Sequence, residues 1–288
     1  MALQIFTNLS SANAQRHLEI NRNKLGTSIT RISSGIRINS GTDDVAGLAI
    51  SESLNSDVKT LKQGARNLND GIALTNTIDG ALNEQAGILI RLRELATQSA
   101  TGTIGDTERK TIQLEFDALR KELDRISTTT EFNGQKLIDG SLAAGSANPV
   151  ILQVGLDSSS SGRINLNEVL NVTAVSSQAL GFNNESIVTQ DQALTAIGKL
   201  NEALNALNQI RGRVGANQNQ LTRAKNNLNV SIEGLTTALT TVQSADLAVE
   251  LASLTKDQIL VQAGAAMIGQ ANLTPQSALT LLNGPGNG

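Results

Sequence analysis

Residues 50–96, ISESLNSDVKTLKQGARNLNDGIALTNTIDGALNEQAGILIRLRELA, decide the architecture of this chain. Their apolar side chains fall at Ile50, Leu54, Val58, Leu61, Ala65, Leu68, Ile72, Leu82, Ala86 and Leu89, mostly in steps of three and four. That rhythm is the seam along which one long helix packs on another. At roughly 1.5 Å per residue such a helix is about 70 Å long, more than a small globule can bury, so it requires equally long partners.

Working outward, the partner is found late in the chain. Ile197, Leu200, Leu204, Leu207, Ile210 and Val214, then Leu221, Leu228, Ile232, Leu235, Leu239 and Val242, repeat the same spacing. Between the two rods, Ile112, Phe116, Leu119, Leu123 and Ile126 form a clean shorter seam. The turn-rich TQSATGTIGDTERK before it predicts that residues 107–128 double back antiparallel on the first rod, with Asp106 or Thr107 as cap. The fold class expected is mainly α, a long antiparallel helical bundle with a small β region at about 130–170. There Asn133-Gly134 reads as a hairpin turn and Val150, Leu152 and Val154 alternate as in a strand. DSSSSG at 157–162 reads as an exposed loop.

Both ends carry thinner stripes. Leu18, Leu25, Ile29, Ile32 and Ile36 mark an amphipathic N-terminal helix, preceded by a weaker stretch with Leu3, Ile5 and Leu9. Leu247, Leu251, Leu254, Val261, Ala265 and Ile268 mark a C-terminal helix that Pro275 ends, or that restarts as a short turn at Gln276–Leu282 before a frayed GPGNG tail. Turn formers at Ser33-Ser34-Gly35 and Asn39-Ser40-Gly41 separate the first helix from the long rod, whose cap is expected at Thr42 or Asp43. Helices this thin in apolar residues are marginal alone, so the ends are expected to order by packing against neighbours. Contacts that do not close into a ring build a filament.

Composition narrows the function. A net charge of −3 with no Lys/Arg cluster argues against nucleic acid. The absence of Cys removes disulfides and thiolate metal sites. No apolar run reaches the roughly 20 residues of a membrane span, and the N-terminus has no charged region followed by an unbroken apolar core, so a cleaved secretory signal is not expected. Four Phe and no Trp or Tyr leave a core of Leu, Ile, Val and Ala suited to narrow seams. Catalysis finds no support: the only His, His17, has no Cys or second His to work with, and Asp43-Asp44 lacks a third ligand and sits where helix caps use Asp. No catalytic, cofactor-binding or metal residues are assigned, and no cofactor.

SSGIRINSGTDDVAGLAISESL at Ser33–Leu54 resembles the N-terminal segment of bacterial flagellins, and SADLAVELASLTKDQILVQAGAAMIGQANLTPQSALTLL at Ser244–Leu282 resembles their C-terminal segment. RLRELATQSATGT at 91–103 and EFNGQKLIDGS at 131–141 add two further matches in order. The resemblance implies that the terminal helices, about 1–42 and 243–288, pair as an inner coiled coil of a filament, with 43–242 as the surrounding bundle. Only about 60 residues separate the flanking helices, so the large outer domains of many flagellins are expected to be missing. It further implies a self-assembling structural subunit and not an enzyme. The protein would leave the cell through the flagellar type III export apparatus with an export chaperone on its C-terminal helix, and would add beneath a filament cap, beyond hook-associated proteins. By the same resemblance Arg91, Leu95 and Glu115 form a surface for subunit contact or for host Toll-like receptor 5, with Ile90 standing where a polar residue is common. Ser158–Ser161 become candidate O-glycan sites. The alternative is a hook–filament junction protein, which shares the terminal layout.

Overall fold

The computed structural model describes residues 8–282, with side chains described through residue 273. Leu3, Ile5 and the GPGNG tail lie outside the described residues. The chain divides into two compact units, Met1–Ser56 with Leu235–Gly288, and Asp57–Gly234.

In the first unit, α1 (Leu9–Ser34) is capped by Asn8, whose side chain accepts from Ser11 N at 3.0 Å, and it closes on Gly35 at φ 70. α2 (Val45–Ser99) begins here. Its cap is Asp44 rather than Thr42 or Asp43: Asp44 Oδ1 accepts from Gly47 N at 2.9 Å. Asp43 instead closes the preceding loop, accepting from the amides of Asn39 and Ser40 and from the Ser40 hydroxyl. Each Asp thus has a structural task that the paired spelling alone does not separate.

α5 (Gln190–Gln243) ends in this unit, and α6 (Leu247–Leu282) follows after a three-residue break. That break pairs with the one after α1: Ile36 bridges Ser244 antiparallel, Arg37 N donates to Gln243 O at 2.7 Å, and Ala245 N donates to Gly35 O at 3.0 Å. α6 does not stop at Pro275 but runs through it to Leu282. A proline inside a helix removes one amide donor and crowds the carbonyl four residues earlier. Here that carbonyl, Ala271 O, is taken up by Asn8 Nδ2 at 2.9 Å, which offsets part of the loss.

The second unit is the bundle. α3 (Asp106–Thr129) returns antiparallel on α2, with Gln85 Nε2 donating to Leu123 O at 3.2 Å, and α5 runs antiparallel on α2, with Arg93 bonded to Asn201 and Gln218 to Asn76. The buried side of α2 is Val58, Leu61, Leu68, Leu74, Ile78, Leu82, Ala86, Leu89, Leu92 and Leu95; Ile72 lies on its margin. Gly105 stands at the start of α3 without a side-chain cap, and Asp106 within the first turn pairs with Arg109 at 3.2 Å. Arg109 is buried and also donates to Ser99 O and Thr101 O, so the α2–α3 turn is tied by a guanidinium that satisfies carbonyls at the end of α2.

Residues 130–189 contribute more than a small β region. β1 (Glu131–Phe132) and β2 (Gln135–Lys136) form the expected hairpin, with Asn133 and Gly134 both at positive φ, 51 and 79, as a two-residue type I′ turn demands. β3 (Ile151–Gln153) pairs antiparallel with β4 (Arg163–Asn165), and a short α4 (Leu166–Leu170) follows. The irregular chain around them inserts Leu137, Ile138, Leu142, Val172, Val175, Phe182 and Ile187 into the core. Beside Phe116 these make the centre thicker than two-helix seams, contrary to the narrow core that the composition suggests. Asn167 holds this chain by accepting from Val150 N and donating to Ser141 O; Asp124 accepts both the amide and the hydroxyl of Ser177.

β3 lies directly on α2. A Cβ on Gly64 would sit 2.7 Å from Val154 O, and one on Gly71 would run into a Leu152 methyl, while between them Asn67 Nδ2 donates to Gln153 O at 2.8 Å. Two glycines seven residues apart on one helix face leave a trough that a strand can enter.

Candidate functional site

The terminal pair is held at both ends. Asn8 and Ser11 bond Ala271 O and Asn272 Oδ1, and Arg31 Nη1 meets Glu250 Oε1 at 3.1 Å. Between them Leu18 packs on Gly264, where an added Cβ would lie 3.3 Å from its methyl. These contacts set α1 and α6 antiparallel. Leu18 is buried; Leu25, Ile32, Leu254 and Ile268 are half-buried; Ile29, Leu247 and Leu251 are exposed.

The exposed apolar residues of α6 are more numerous than its sequence stripe indicates. At about 100° per residue, Glu250, Asp257, Gly264, Ile268 and Ala271 occupy the sector toward α1. Leu247, Leu251, Ile259 and Leu273 fill the sector to one side, and Val249, Leu260 and Met267 lie on the other. Leu247 is 51 % exposed and Met267 62 %. After Asp257 the helix carries no charged residue as far as Leu282. A helix apolar on every side is one that a finished structure encloses, and α1 covers a single side.

On the second unit, Arg91 and Glu115 are brought together as expected: Arg91 Nη2 meets Glu115 Oε1 at 2.8 Å and Nη1 meets Glu94 Oε2 at 3.1 Å. Both carboxylates push the already high Arg91 pKa up, Glu115 chiefly, through hydrogen bonds to the guanidinium. Leu95 does not share that surface. It is 1 % exposed and belongs to the core, on the buried side of α2 with Leu92 and Ala96. The exposed apolar residues flanking the cluster in sequence are Ile90 and Leu114. Exposed ion pairs of this kind contribute little stability, about 0–1 kcal/mol.

Other expected features have simpler surroundings. His17 is exposed on α1. Ser158–Ser161 are exposed, with Ser159 bonded to Asp157 and Ser161. The Asp43 carboxyl is held below its usual value, first by the Ser40 hydroxyl, then by the backbone amides of Ser40 and Asn39, and by Arg31 nearby. Among the described residues no group of three His, Cys, Asp or Glu is placed to hold a metal ion, and no helix is long and apolar enough to cross a membrane.

Sequence reading missed Asn8, Ser11, Arg31 and Glu250 as the residues that join the two ends. Asn8 had a signal, as an Asn directly before a helical stretch. The Arg31–Glu250 pair had none, since nothing local links residues so far apart.

Comparison with known proteins adds the following. Residues 5–143 match the model of the bacterial flagellin N-terminal helical region, and residues 197–282 match that of the C-terminal helical region. A flagellin of Halalkalibacterium halodurans is 38 % identical over 275 residues, covering 96 % of this chain and 98 % of that protein. A flagellar filament 30.7 kDa core protein of Treponema maltophilum is 35 % identical over 280 residues, with the same coverage. Among solved structures, one described as a flagellar hook-associated protein from Vibrio parahaemolyticus aligns with a TM-score of 0.56 over 70 % of this chain and 100 % of that one. Its 14 % identity makes it a likeness of fold alone.

Proposed function

This chain belongs to the bacterial flagellin family, and from that premise we propose how its surfaces serve assembly. It is a structural subunit that polymerises with its own kind into the flagellar filament, and it is not an enzyme. The finer reading assigns about 1–42 and 243–288 to an inner layer of paired terminal helices, and 43–242 to the bundle around it. What supports this is the exposure of apolar residues on two sides of α6 while α1 occupies the third. Neighbouring copies supply the missing cover. In the second unit, Phe116, Phe182, Leu137 and Leu166 are fully enclosed without help.

Arg91 and Glu115 are assigned to contact between subunits, with Ile90 and Leu114 as apolar flanks; the same surface is a candidate ligand for Toll-like receptor 5. Leu95 supports the surface from beneath. The export chaperone is expected on α6 before assembly, because that helix has the most apolar surface to cover. Passage through the type III export apparatus without a cleaved signal, and addition under the cap beyond the hook-associated proteins, complete the reading of an extracellular filament protein. A hook–filament junction role shares the fold, but the relatives with near-complete coverage are flagellins and filament core proteins.

The test is electron microscopy of purified protein under polymerising salt, with wild type beside Val249→Asp/Met267→Asp. Long filaments from wild type and none from the double variant are expected, with the second unit's unfolding midpoint unchanged. Filaments of normal length from the double variant would overturn the assignment of α6 to a buried assembly face. Failure of wild type to form long filaments would favour the junction role.

A further inference from the structure

We infer that Asn8 fixes the register of α1 against α6 by reading the one α6 carbonyl that Pro275 deprives of its amide partner. This rests on the reading of α1 and α6 as the assembling ends. Apolar packing chooses this register at few points. α6 carries apolar residues on every side and no charge after Asp257, so, apart from Leu18 on Gly264, a slip of one turn, about 5.4 Å, mostly replaces one apolar contact with another of the same kind.

Pro275 breaks that degeneracy. It is the only proline in α6, and it has no amide hydrogen to give to Ala271 O. Every other interior carbonyl of the helix has an amide four residues on, so Ala271 O is a unique address. Asn8 Nδ2 donates to it at 2.9 Å, and Ser11 Oγ donates to the adjacent Asn272 Oδ1 at 2.8 Å. The same Asn8 side chain caps α1 through Oδ1, so its amide is aimed by the helix it starts. A one-turn slip would leave Ala271 O bare, set Asn8 against a carbonyl already bonded within α6, and draw Arg31 off Glu250.

The chain contains no Cys, so disulfide trapping can report the register directly. A Cβ at Gly264 lies 3.7 Å from Leu18 Cβ, within the range of roughly 3.5–4.5 Å that a disulfide spans. Leu18→Cys/Gly264→Cys traps the observed register, and Leu18→Cys/Ile268→Cys traps the one-turn slip. Each pair is oxidised in the full chain before and after polymerising salt, with Asn8 intact or as Asn8→Asp, which keeps an oxygen for the cap but loses the donor. The ratio of observed-register to slipped cross-link is expected to fall about fivefold in Asn8→Asp, the effect of one hydrogen bond. Pro275→Ala restores the amide to Ala271 O, so in that background Asn8→Asp is expected to change the ratio little. An unchanged ratio in Asn8→Asp, or the same loss with and without Pro275, would overturn the inference. Asn8-dependent trapping in a chain that forms no filaments would leave the inference standing and remove the filament reading instead.

Discussion

Gly64→Ala tests whether the β3–β4 ribbon rides on α2. The new methyl would lie 2.7 Å from Val154 O, a backbone atom that cannot rotate away. Val154 N is itself bonded to Gly162 O at 2.9 Å, so moving the carbonyl moves the ribbon. Overpacking of this kind costs about 1–3 kcal/mol, and displacement of β3 also loses the Asn67–Gln153 bond, about 1 kcal/mol. Against this, Ala is favoured over Gly in a helix by about 1 kcal/mol. The net expectation is a loss of about 2 kcal/mol. Gly80, on the same helix with nothing within 4 Å of an added Cβ, supplies the control: Gly80→Ala should gain about 1 kcal/mol. Urea unfolding of the unpolymerised protein, followed by its helical signal, measures both. Hydrogen exchange at Val154 and Gly155, whose amides both donate to Gly162 O, should quicken only in Gly64→Ala. Equal stabilisation by the two substitutions would refute the seating of the ribbon in the glycine trough.

Asn217 is fully buried on α5 with neither polar atom bonded among the described residues, so Asn217→Leu is expected to raise stability by about 1–3 kcal/mol, read as a higher urea midpoint; a lower midpoint would reveal a partner for the carboxamide. Phe116→Ala removes a fully enclosed ring and should cost about 3–5 kcal/mol in the same assay. Arg91→Ala should change unfolding by less than about 1 kcal/mol yet slow polymerisation in light scattering, since its pairs are exposed and its assigned task lies between subunits. The Asp43 carboxyl titrates below its usual 3.8 in the folded chain, so its loop contacts are fully present above that pH and are lost as pH falls through the lower folded value; NMR titration of Asp43 checks the sign, and Asp43→Asn should remove the step.

The long helices were legible because Val58, Leu61, Leu68, Leu82 and Leu89 carry a periodicity that burial itself imposes. The hairpin was legible because Asn133-Gly134 is among the few pairs that accept two positive φ angles in sequence. Positions decided by distant partners were harder. Leu95 and Arg91 both spell a helix surface, and only the direction of α3 and the chain after it makes one core and the other outside. The glycines at 64 and 71 read as helix weakeners until a strand is seen lying on them. Pro275 reads as a stop by propensity, yet the helix continues to Leu282, and the carbonyl left without an amide is bonded by Asn8 from far away in the sequence.

The bond from Asn8 to Ala271 joins residues 263 apart. Closing so long a loop from a disordered chain carries an entropic penalty of about 5 kcal/mol, more than the few polar contacts of the terminal pair return. The second unit needs neither end, since its segments from Asp57 to Gly234 are continuous in sequence. An already formed bundle would shorten the effective loop, so the two ends are expected to meet after it, an order that pulse-labelled hydrogen exchange would read. A chain delivered N-terminus first would therefore hold α1 without its partner until α6 arrives.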